Sequence, residues 1–207
     1  MKLTDKQKRI IQEVHDFVKG ESRKTTINDE IGIFDDHVVN VVRFSKMLAE
    51  QYDANSFVVI LAAYLHDIIY IQTNNHKTHE IVGAEFVKEY LSKFDISKED
   101  IKRISLCILN HRGSKKSTKE SIEEKIVASA DAMDHIDRCL AMFYRGGDKS
   151  YEAAFEFMQG KIKRGWEKIE LDKAKEIIRP QFEAAKVLFR IEGQMKLLGK
   201  YVDIWGG

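Results

Sequence analysis

A chain of 207 residues, 43% hydrophobic and 32% charged, is long enough for one ample core and too apolar for disorder. Its 34 Lys+Arg nearly balance 33 Asp+Glu, which argues against a polyanionic partner held by bulk charge, so nucleic-acid binding is not expected. Cys107 and Cys139 show no CxxC spacing and support neither a disulfide framework nor a thiolate zinc site; the longest apolar run, Phe57 to Leu65, is too short to span a bilayer, and a soluble, cytoplasmic protein without a membrane partner is expected.

One proline, 12 glycines and apolar residues recurring at helical spacing predict an all-α fold. A first helix runs from an N-cap at Thr4 to about Lys19, where Gly20 supplies a stop, and a loop follows from Glu21 to Ile33. Val38, Val41, Val42, Leu48 and Ala49 mark a second helix; its valines leave a strand reading open, which period and length disfavour. The run FVVILAAYL, Phe57 to Leu65, is apolar on every side and predicts a central helix wrapped by others, with His66-Asp67 at its C-terminal end.

A polar loop from Gln72 to Thr78 then leads into HEIVGAEFVKEYL, in which Gly83-Ala84 allows a neighbour to come close. Ser97 with Asp100 resembles a shortened capping box opening a helix that ends at Asn110-His111. Ser121 with Glu124 matches a full box opening the next, with Asp131 in the middle of its apolar pattern. After a basic loop at RGSKKSTKE and a turn at Arg145-Gly146-Gly147-Asp148, helical stretches run to about Arg164 and from Asp172 to Leu198. Pro180 kinks the latter or starts its second half.

Within this helical pattern His37, His66, Asp67, His79, His111 and Asp131 stand out, above all the pair ending a buried apolar run. Imidazole nitrogens and carboxylate oxygens suit divalent ions such as zinc, iron or manganese, and solubility does not explain two of them at the end of a buried helix. The six are read as one metal site.

In order the six spell H…HD…H…H…D, in the contexts DDHVVNVVRFS, LAAYLHDIIY, HEIVGAEFV, ILNHRG and IVASADAMDHID. This pattern resembles the HD-domain superfamily of metal-dependent phosphohydrolases, over about residues 30–140. The resemblance implies an HD-type helical bundle, here a single domain over residues 1–207, with C-terminal helices of about 148–200 packed on the metal-site core. It implies that His37, His66, Asp67 and Asp131 hold one ion, and that His79 and His111 resemble the second-metal ligands of binuclear members, with Asp67 bridging. Such a set has the chemistry to hold one or two divalent ions (Fe, Mn, Zn, Co, Ni or Mg) with open positions for catalysis.

The expected activity is hydrolysis of a nucleotide, dinucleoside polyphosphate or other small phosphoester by a metal-activated hydroxide, with Asp67 as the catalytic residue. Where many mononuclear members carry an aspartate and an arginine flanking the last ligand, this chain has Ser129 and Ala132, so substrate contacts do not transfer. Arg112 and Lys115, directly after His111, are the expected phosphate contacts; Arg138, Arg145, Lys161 and Arg164 are further candidates. His15, His76 and His135 are expected to be surface or structural, with His135 close enough to Asp131 on its helix to support it. Two other functions compete. Similar six-ligand sites in a minority of the superfamily hold a mixed-valent diiron centre that oxidises C–H bonds, although the 20 positions from His111 to Asp131 are fewer than such relatives usually have. A non-catalytic nucleotide- or metal-binding helical module is the third reading.

Overall fold

The computed structural model describes residues 3–24, 33–112, 119–145 and 150–191, all of whose regular structure is helical. Thr4 opens α1 (Asp5–Ser22) with a complete capping box to Gln7. The helix does not stop at Gly20: it continues to Ser22, whose hydroxyl accepts the backbone N–H of Phe34 at 3.2 Å. A π-helical turn, Phe34–Val38, then feeds α2 (Val39–Gln51), so the valine-rich stretch is helix.

Asn55 caps the central helix α3 (Ser56–Leu65), and every residue from Phe57 to Leu65 is buried. His66 and Asp67 form a turn, and the chain immediately re-enters a short helix, α4 (Ile68–Thr73), where a loop was expected to begin at Gln72. Ile68, Ile69 and Ile71 bury its inner face, and Asn74 ends it in the left-handed conformation, φ 55°. The span Ser56–Thr73 is by length and composition apolar enough to cross a membrane, yet it is broken at the His-Asp turn and is 72% buried within the protein.

Helices α5 (His79–Leu91) and α6 (Lys98–Asn110) pair closely, and Gly83 marks the contact: a Cβ there would lie 3.3 Å from Ile108 Cγ2. Ser97 caps α6 through the Asp100 N–H, but the shorter aspartate receives the Ser97 hydroxyl instead of completing the box. Ser121 and Glu124 do complete one at the start of α7 (Ile122–Asp137). This second central helix is buried along most of its length and packs against α2, α3, α6, α9 and α10.

Beyond it come α8 (Cys139–Arg145), α9 (Tyr151–Lys168) and α10 (Asp172–Leu188); Pro180 lies inside α10 without ending it. Trp166 stacks on Phe182 at 4.0 Å between ring centres, while Phe143, Tyr151, Phe155 and Phe189 form a separate aromatic cluster. The predicted glycine turn at 146–148, the basic residues Lys115 and Lys116 and the chain beyond 191 lie outside the described residues.

Two of the helical glycines, Gly20 and Gly83, have opposite expected responses to alanine. At Gly20 a Cβ meets nothing within 4 Å, so Gly20→Ala should stabilise by about 0.5–1 kcal/mol. At Gly83 it presses on buried Ile108, so Gly83→Ala should destabilise, with over-packing of about 1–3 kcal/mol outweighing the helix gain. Thermal denaturation of both variants checks this; a lowered melting temperature for Gly20→Ala would contradict a helix running to Ser22.

Candidate metal centre

The six predicted residues converge. His37 comes from the π-helical turn, His66 and His111 from the C-terminal caps of α3 and α6, His79 from the first position of α5, Asp67 from the entry to α4, and Asp131 from the middle of α7. A π-turn inserts an extra residue into a helical turn and is often found at functional sites. All four histidines and Asp131 are buried, and the Asp67 side chain is 13% exposed.

Helix ends fix the imidazoles. His66 and His111 each turn Nδ1 back onto the carbonyl three residues earlier, Ala63 O at 2.8 Å and Ile108 O at 2.6 Å. A carbonyl only accepts, so Nδ1 carries the proton in both rings and Nε2 is left with a lone pair. His37 is oriented by a carboxylate instead, its Nδ1 lying 2.6 Å from Asp134 Oδ2, which Arg138 Nε also contacts at 2.5 Å. Arg138 reaches Asp36 as well, tying the π-turn to α7.

Asp67 sits at the N-cap position of α4 but makes no capping hydrogen bond. Its two oxygens face opposite ways. Oδ2 lies 3.4 Å from His37 Nε2 and 3.5 Å from His66 Nε2. Oδ1 lies 3.1 Å from His79 Nε2 and 3.5 Å from His111 Nε2. Asp131 Oδ1 completes the first group, 3.5 Å from His37 Nε2 and 3.9 Å from His66 Nε2. The paired nitrogens are themselves close, 3.0 Å for His37 and His66 and 3.3 Å for His79 and His111.

This donor set fits a cation. Nitrogens bound at about 2.0–2.1 Å to an ion lie about 2.8–3.4 Å apart at ordinary coordination angles. Lone pairs and carboxylate oxygens gathered in a buried space otherwise repel, and protonation is the relief available to the side chains alone. Burial opposes charge on His37, but Asp134 and Asp67 overcome it and raise its pKa to about 9; burial dominates at His66 and lowers it to about 4. Asp67 would be raised by burial, yet the surrounding imidazoles hold it well below the usual carboxylate range. The pattern is of two anions and lone-pair donors arranged around positive charge.

His37, Asp67, His79, His111 and Asp131 line a cavity of about 480 Å³, a volume typical of small-ligand sites. Arg112 lines it and is anchored at 2.6 Å on His76 O and 3.1 Å on Glu80 Oε2. His76, expected to be surface or structural, lines it too and packs on Tyr70 with ring centres 4.0 Å apart; His135, whose spacing from Asp131 leaves a supporting role open, also lines it, stacking on His37 with its Nε2 3.7 Å from Asp131 Oδ1. Sequence reasoning missed Lys168 altogether. Its ammonium contacts Asp131 Oδ2 at 2.5 Å, leaving Oδ1 to face the histidines. One more lysine in a highly charged helix gave no signal of that role.

Residues 34–136 match the HD domain family, and through them the chain belongs to the HD-domain superfamily. Solved structures with the same fold include an HD-superfamily hydrolase from Bacillus thuringiensis, 19% identical over 96% of this chain and 98% of that one, TM-score 0.68. YpgQ from Bacillus subtilis aligns at 21% identity over 89% of this chain and 94% of its own, TM-score 0.66. Its complex with ADP aligns at 23% identity over the same 89% and 94%, TM-score 0.63. No functionally curated protein matches the sequence significantly.

If Asp134 orients His37 for metal binding, Asp134→Asn should weaken metal affinity about 10–100-fold while the fold persists. Competition against a chelating dye measures this, and an unchanged affinity would remove Asp134 from the site.

Proposed function

We propose that this HD-domain protein is a metal-dependent phosphohydrolase acting on a small, nucleotide-like phosphoester. The observation that carries the proposal is Asp67, which lines a cavity edged with basic side chains and whose two oxygens face two separate histidine pairs. His37, His66, Asp67 and Asp131 would hold one divalent ion, and Asp67, His79 and His111 a second. When bound, such ions supply Lewis-acid stabilisation of phosphoryl charge and acidify water at open positions.

The protein's own groups do the remaining work. The carbonyls of Ala63 and Ile108 and the Asp134 carboxylate hold three imidazoles in one tautomer, so the donors are set before any ligand arrives. Lys168 holds Asp131 to a single orientation. Arg112, the phosphate contact expected from the sequence, stands on the cavity wall with its side chain braced by Glu80. YpgQ, which shares the fold, has been solved with ADP, and that supports a nucleotide-like ligand for the cavity here.

Asp67→Asn keeps the size of the side chain but removes the charge from the group shared by both histidine pairs. We expect it to lower phosphate release at least about a hundredfold across a panel of nucleotides and phosphoesters assayed with Mn²⁺, Co²⁺, Fe²⁺, Ni²⁺, Zn²⁺ or Mg²⁺, with an unchanged circular dichroism spectrum. Wild-type turnover that persists at full rate in the variant would refute the assignment.

A further inference from the structure

Beside the buried stripe of α9, formed by Ala154, Met158, Ile162 and Gly165, runs a second one: Phe157, Lys161, Arg164 and Lys168 fall at helical spacing, and with Gly165 they line the cavity. Three of the cavity's cations are neutralised by the protein: Arg112 by Glu80, Arg138 by Asp134 and Asp36, and Lys168 by Asp131. Lys161 and Arg164 are not, for among the described residues neither has a carboxylate within 4.0 Å.

The Lys161 ammonium sits 5.9 Å from the Phe157 ring centre, and burial lowers its pKa even though Asp131 and Asp67 pull the other way. The Arg164 guanidinium lies against Gly160, where a Cβ would come within 2.7 Å of Nη1. A lysine and an arginine one turn apart on the wall of a cavity, with no carboxylate within 4.0 Å among the described residues, are a favourable site for phosphate oxygens, which both can bind through charge-assisted hydrogen bonds.

We propose that Lys161 and Arg164 form a second anion subsite, one that holds phosphate beyond the group at the His/Asp centre, so that the ligand carries a chain of at least two phosphates. The identity of that ligand as a substrate rests on the hydrolase reading above; the subsite itself does not. Both residues lie outside residues 34–136, so this selectivity would be supplied by the C-terminal helices and the reacting centre by the HD domain.

Calorimetric titration with tripolyphosphate and with orthophosphate, in excess Mg²⁺, tests the subsite directly on the full chain. Wild type should bind tripolyphosphate at least about tenfold more tightly than orthophosphate. Lys161→Gln/Arg164→Gln should lose most of that ratio with orthophosphate affinity and metal content unchanged, and Arg164→Gln, altering an exposed side chain, should lose part of it even if the double variant folds poorly. Absence of the preference in wild type, or its survival in the folded double variant, would overturn the inference. A phosphate-release panel run on the same wild-type sample separates the two proposals: a chain preference without turnover of any phosphoester would leave the subsite standing and sink the hydrolase.

Discussion

The constraint on which this structure turns is the placement of one carboxylate. Asp67 occupies the break between α3 and α4, in a position where an aspartate commonly caps the following helix, yet neither oxygen does so. Instead Oδ2 faces His37 and His66, and Oδ1 faces His79 and His111. A carboxylate has two oxygens and an imidazole one available nitrogen, so only Asp67 among these residues can serve both histidine pairs at once. The helices are arranged to make that possible: α3 and α6 end at the centre, α5 begins there, and α7 passes it mid-length.

Around Asp67 the fold fixes direction more than distance. Two histidines are locked by the carbonyls of their own final turns, a local device that needs only a histidine at a helix C-cap. His37 depends on tertiary structure, through Asp134 and then Arg138 and Asp36. Lys168 supplies a fourth support from α9 by taking up the outer oxygen of Asp131. Such buried polar groups are costly unless satisfied, and His37, His66, His111 and Asp131 each have one polar atom held by a defined partner, whereas among the described residues His79 Nδ1 has no hydrogen bond.

Much of this was legible in the amino-acid order. Buried α3 announces itself by an apolar run with no polar face, and the caps at Thr4, Ser97 and Ser121 mark helix starts at the residues where the structure has them. The six convergent residues were visible because His and Asp at the ends and middles of apolar helices have no solubility role. What escaped notice has physical reasons. Helix α4 spans only six residues, too few for periodicity, and the left-handed Asn74 was the one mark of its end. Gly20 was expected to stop α1, but a glycine terminates a helix only when the chain turns there, and the N-terminal helix continues to Ser22 to meet Phe34. His76 and Lys168 reach the site through packing between distant segments, which a single sequence does not encode in any short pattern, whereas the place of His135, one turn after Asp131, follows from helical spacing.

Both parts of the chain contribute to the cavity: the six convergent residues and Arg112 lie within the HD domain, and Phe157, Lys161, Arg164 and Lys168 of α9 line the cavity with them. If Asp67 joins two ligand sets, elemental analysis of anaerobically purified protein will find two metal ions per chain in the wild type and one in His79→Ala/His111→Ala; an equal content in both would leave His79 and His111 without a metal and Asp67 with a single ligand set.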